Sequence, residues 1–139
     1  MKTSIILLAA ALAVNSFSAC TKSNDLVSNT GQVVTAGTWK VTQFTDSGND
    51  ETLDFAGYSF TFDGGGTITA VKAGVSKTGT WSINSSSNKF NINLGPKDNS
   101  NQPLGELTDD WKIISSTSSV IKLGDDNASS NEILTFTKN

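Results

Sequence analysis

Histidine and arginine are absent from this sequence, cysteine occurs once and proline twice. Each absence removes a class of chemistry. Without His there is no Ser-His-Asp or Cys-His arrangement, and with one Cys there is no usual zinc ligand set. No side chain is poised to exchange protons near neutral pH in its ordinary state. A single Cys excludes a disulfide within the chain, so stability has to come from packing and from hydrogen-bonded ladders. All ten basic residues are Lys, set against 13 acidic residues, for a net charge of −3. An acidic chain without Arg lacks the basic patch that supplies most affinity for nucleic acid, and lacks a polybasic surface for anionic lipids. The expectation is a protein that is not an enzyme, with no catalytic residues, no metal, no cofactor and no nucleic-acid partner.

What is present begins at the N-terminus. Lys2 precedes an apolar run from Ile5 to Val14, followed by Asn15-Ser16-Phe17-Ser18-Ala19-Cys20. One positive charge, a short apolar stretch and small residues before a cut site describe an export signal, and the run is too short to span a bilayer. Phe17-Ser18-Ala19-Cys20 resembles a lipobox, with Phe17 where Leu is usual. The one Cys of the chain stands where such a motif needs it. The resemblance implies removal of residues 1–19, diacylglycerol on Cys20 and attachment to a membrane through that lipid. No Asp follows Cys20 directly, which points to the outer membrane of the cell envelope. Residues 20–36, poor in periodicity and rich in Thr, Ser, Asn and Gly, are expected to be a flexible tether.

From residue 37 to 139 the pattern is short runs of alternating polarity separated by turn residues. Trp39 and Val41, then Tyr58, Phe60 and Phe62, then Ile68 and Ala70, alternate with polar neighbours. Trp81 and Ile83, Phe90, Ile92 and Leu94, Trp111 and Ile113, Ile121 and Leu123, and Leu134 and Phe136 continue the series. Period-two alternation marks strands with one buried face. Asp63-Gly64-Gly65-Gly66 and Ser85-Ser86-Ser87-Asn88 are turns, residues 95–103 hold both prolines in a polar loop, and Leu104 to Asp109 predicts a short helical turn. About eight short strands predict an all-β fold, a small antiparallel up-and-down barrel, with a β-sandwich as the alternative.

Gly37-Thr38-Trp39, Phe60-Thr61-Phe62 before a Gly-rich turn, Gly79-Thr80-Trp81, Asp109-Asp110-Trp111 and Leu134-Thr135-Phe136-Thr137-Lys138 follow one another over residues 37–138. In this order they resemble the lipocalin-like domains of Bacteroidetes lipoproteins, in which a Gly-x-Trp opens the first strand. The resemblance implies an eight-stranded barrel that carries a small hydrophobic ligand. An Arg near the last strand is missing here, and Lys138 is the residue placed to lie over Trp39 in its stead. The inward aromatics Trp39, Tyr58, Phe60, Phe62, Trp81, Phe90, Trp111 and Phe136 are the candidate ligand contacts. The same residues suit a barrel filled by its own side chains, and the short strands favour that filled interior, or a small cavity, over an open cup. Asp46, Asp50, Glu51 and Asp54, and separately Asp125, Asp126 and Glu132, match no calcium-loop spacing. The second functional expectation is a protein-facing module, an inhibitor in the periplasm or an accessory of an envelope complex, acting through its loops.

Overall fold

The computed structural model describes residues 23–127 and 129–139. The export signal over 1–19 and the lipidated Cys20 lie outside the described residues. The chain begins with helix α1 (Ser23–Val34). Strands β1 (Thr38–Asp46), β2 (Asn49–Asp50), β3 (Ser59–Phe62), β4 (Thr67–Lys72) and β5 (Val75–Asn84) follow. The rest are β6 (Lys89–Asn93), β7 (Asp109–Ser116), β8 (Val120–Gly124) and β9 (Ile133–Lys138). Single turns of 3-10 helix lie at Thr52–Phe55 and Leu104–Leu107, the second where the sequence predicts a helical turn.

All strand neighbours are antiparallel, and β1 also pairs with β9. That pairing closes eight strands into an up-and-down barrel of the lipocalin-like type, and β2 is a two-residue extra arm on β1. Closure removes the free edges that a sandwich would leave. The wall is uneven. β1 and β9 share six rungs from Trp39↔Lys138 to Thr45↔Ile133, whereas β1 and β3 share only Thr38↔Thr61 and Trp39↔Phe60. Beyond Trp39 the inner edge of β1 is served by the loop instead. The Phe44 amide donates to Thr52 Oγ1 at 2.9 Å, and the Phe44 carbonyl accepts from the Glu51 amide at 2.9 Å.

The segment expected to be a flexible tether is corrected by α1. Ser, Asn, Thr, Gly and Val are weak helix formers, so nothing local announces a helix here. Packing supplies the stability instead. Thr30 and Val34 are buried, Val33 packs against the core, and α1 lies against β5 and β7 at the end of the barrel where β1 begins. The opposite end is closed by the two 3-10 turns, which bury Phe55, Leu104 and Leu107. Gly37 allows the entry into β1. It has φ +111, and a Cβ there would stand 2.9 Å from Lys138 Cε. The Lys138 ammonium lies 5.7 Å from the Trp39 ring centre, as the missing Arg leads one to expect.

Candidate functional site

The eight inward aromatics divide into two groups. Trp39, Phe60, Phe62, Phe90, Trp111 and Phe136 are 0–3% exposed. Phe62 meets Phe90 at 5.7 Å and Phe136 at 5.6 Å, both edge to face, and Phe60 meets Phe136 at 5.4 Å. These rings fill the barrel, in the geometry their quadrupoles favour. Both deeply buried indoles have partners, and each partner belongs to the plug at one end. Trp39 Nε1 donates to the Val34 carbonyl of α1 at 2.8 Å, and Trp111 Nε1 donates to the Leu107 carbonyl at 3.0 Å. Tyr58 and Trp81 form the second group. They are half-buried, at opposite ends, and each lines an open cleft.

The Trp81 cleft is the larger, about 660 Å³, and lies at the α1 end. Its walls are Gln32 and Thr35 on one side, the Gly64–Gly66 turn on another, and Trp81 with Ile83 as the apolar floor. The local sequence holds this floor rigid. Trp81 stacks on Phe90 at 5.6 Å and meets Phe62 edge to face at 5.8 Å. Its Nε1 donates to the Asp63 carbonyl at 2.9 Å, and its amide donates to the Gly66 carbonyl at 2.9 Å. Asp63 Oδ1 accepts from the Gly65 and Thr67 amides at 2.8 and 2.9 Å. The bond from Thr67 is the main reason its carboxyl sits below the usual range. Gly66 takes φ +91, which glycine adopts without a Cβ penalty, and the three glycines put no side chain over the indole. Sequence reasoning named Trp81 but missed Gln32 and Thr35. The spacing of Thr30, Val33 and Val34 is the one trace of the helix that brings them there.

The other end is acidic. Burial, followed by the charges of Asp46, Asp54 and Glu106, raises the Glu51 carboxyl. Glu132 stands just before β9 and opposite the last residue of β1. Burial and a hydrogen bond with Asp46 push it up to about 7, against the pull of Lys97. Lys97 itself pairs with Asp109 at 2.9 Å. On the outer wall Lys89, 8% exposed, donates to the Asp110 carbonyl at 2.7 Å and pairs with Asp126 and Asp110. Burial disfavours its ammonium, but these partners outweigh it and raise the pKa. The pair with Asp126 straps the β8–β9 loop to the sheet. Among the described residues no group of three or more carboxylates is arranged to hold a metal ion, and no helix is long and apolar enough to cross a membrane.

No protein-family profile and no curated protein matches the chain. Solved structures do. A DUF4847 family protein from Bacteroides vulgatus is 19% identical, with a TM-score of 0.55 over 78% of this chain and 96% of that one. A lipocalin-like protein from Bacteroides uniformis is 22% identical, with a TM-score of 0.53 over 76% of this chain and 98% of that one. An uncharacterised protein from Bacteroides eggerthii is 16% identical, with a TM-score of 0.53 over 76% of this chain and 99% of that one. The shared feature is the lipocalin-like barrel, and none of these three is named as an enzyme.

Proposed function

We propose that this protein is an envelope lipoprotein, anchored in the outer membrane through lipid on Cys20, and that its barrel is a non-catalytic binding module for a small hydrophobic molecule. The ligand sits on Trp81, at the α1 end, and not among the packed aromatics of the interior. One observation carries this reading: Trp81 alone of the three tryptophans is accessible, in a cleft of about 660 Å³ with an aromatic and aliphatic floor. That size suits a small-molecule site. The lipocalin-like barrel of the neighbours supports the same class of function. So does the position of α1, which begins three residues after Cys20 and forms one wall of the cleft.

The test is a titration of the purified chain with 1-naphthol and medium-chain alcohols, followed by tryptophan emission. Trp39 and Trp111 are shielded, so a saturable shift reports Trp81, and Trp81→Phe abolishes the shift. A linear response across the panel overturns the reading. Anchoring is checked separately by mass spectrometry of the membrane fraction, where Cys20→Ser releases the protein.

A protein-facing role has one observation in its favour. Leu53 is 85% exposed on the Thr52–Phe55 turn, flanked by Asp50, Glu51 and Asp54. If that role holds, Leu53→Lys abolishes co-purification of a specific envelope protein. Recovery of the same proteins by the wild type and the variant counts against it.

A further inference from the structure

At the loop end, the register turns two lysines toward the barrel interior. Phe60 opposes Ala70, Ala70 opposes Lys77, and Lys72 opposes Val75, so Lys72 and Lys77 share the face of the buried Phe60 and Ala70. Most inward positions elsewhere in this barrel are apolar, with Lys138 opposite Trp39 and Asp109 opposite Ile92 as exceptions. These two line a cleft of about 330 Å³ with Tyr58, Val75, Ser100 and Leu104, and no carboxylate is among the lining residues. Neither ammonium is among the ion pairs of the described residues.

Both ammonium groups are held in place. The Lys72 Nζ lies 4.8 Å from the centre of the Tyr58 ring. The Lys77 Nζ donates to Asn101 Oδ1 at 2.8 Å. Asn101 is itself buried, and its Nδ2 donates to the carbonyls of Leu94 at 3.2 Å and Pro96 at 2.9 Å. Its carbonyl accepts from the Gly105 amide at 2.8 Å, and Thr108 Oγ1 donates to the Gly95 carbonyl at 2.7 Å. The loop from Gly95 to Thr108 is therefore a braced wall. A lysine ammonium has three donors, so the bond to Asn101 leaves two for a ligand. Val75 is 75% exposed and offers an apolar surface on the same cleft.

We infer that this mouth cleft binds a small organic anion, its carboxylate between Lys72 and Lys77 and its apolar body against Val75 and Leu104. Charge-assisted bonds from two preorganised ammonium groups fix one end, and the exposed aliphatic wall covers the other. The volume sits at the small end for ligand sites, and the packed Ala70 lies in its floor, so the ligand is short. This site is separate from the Trp81 cleft and stands or falls without it.

The test uses the full chain labelled with ¹⁵N and titrated with benzoate, benzyl alcohol and inorganic phosphate. Expected is saturable binding of benzoate, with amide shifts confined to Tyr58, Lys72, residues 75–77 and residues 100–102. Benzyl alcohol, lacking the charge, and phosphate, lacking the apolar body, each bind at least about tenfold more weakly. Lys77 also braces Asn101, so Lys72→Gln is the decisive variant, weakening benzoate about tenfold, while Lys72→Arg restores most of the affinity. Equal shifts with benzyl alcohol, phosphate binding as tight as benzoate, or unchanged affinity in Lys72→Gln overturns the inference.

Discussion

Truncation of Phe62 tests whether the barrel is filled or hollow. Its ring lies at the centre of the aromatic cluster, edge to face with Trp81, Phe90 and Phe136 at 5.8, 5.7 and 5.6 Å, and is 3% exposed. Phe→Ala at a close-packed site costs about 3–5 kcal/mol in lost transfer energy and cavity formation. Each aromatic pair is worth about 0.5–1.5 kcal/mol beyond area, so Phe62→Ala belongs at the upper end, near 5 kcal/mol. A domain of this size has a total stability of about 5–15 kcal/mol, so the variant loses about a third of it at the least and all of it at the most. Phe62→Leu keeps most of the volume and loses the ring contacts, for about 1–2 kcal/mol. Urea denaturation followed by tryptophan emission reads both. Benzene, which fits an apolar void of this size, should raise the melting temperature of Phe62→Ala and leave the wild type unchanged. A cost below about 1 kcal/mol for Phe62→Ala refutes the reasoning, because a side chain projecting into an open cup loses little when cut back.

Three more outcomes follow from the structure. The raised carboxyl of Glu132 means that the folded state holds its proton more tightly than the unfolded chain, so stability present below about pH 4.5 is lost as pH rises toward about 7. Urea midpoints at pH 5 and pH 8 should show that loss in the wild type and a smaller one in Glu132→Gln, and identical slopes reject the Asp46–Glu132 pair as its source. Gly79→Ala places a Cβ 2.1 Å from the Asn93 carbonyl of the neighbouring strand, so melting should fall by an amount matching about 2–3 kcal/mol; an unchanged melting temperature refutes the close approach. Lys89→Ala removes the strap to Asp126 and leaves the covered sheet without its cation, so amide exchange across residues 125–131 should quicken while that of β3 and β4 stays fixed.

Much of the wall was legible because period two is a direct consequence of the pleat. Phe90, Ile92 and Leu94 are buried and Asn91 and Asn93 face outward or the rim, as their alternation predicts. Gly37-Thr38-Trp39 is readable for a similar reason, since only glycine tolerates φ +111 with Lys138 lying against it. The plugs were less legible. Residues 23–34 carry weak helix formers, and their helix exists because the open end of a barrel offers an apolar seat to Val34 and Val33. The cleft on Trp81 depends on that helix, so its far wall could not be named from local pattern. Inward Lys72 and Lys77 were hidden as well. Alternation assigns a face to each residue but does not say where the barrel stops being dry.

The two-rung pairing of β1 with β3 gives the molecule a slit in its side. Strand separation there needs two rungs to break and only the Thr52–Phe55 turn to swing aside, with Phe55 lifting from its 5.0 Å contact with Phe44. Breathing of this barrel is therefore expected to be lateral, like a coat opening along its buttons, while the end sewn by α1 stays shut. Any molecule that reaches the oily centre would come through the flank of the cylinder, and the amides of Phe44 and Phe60 would exchange first among those of the wall.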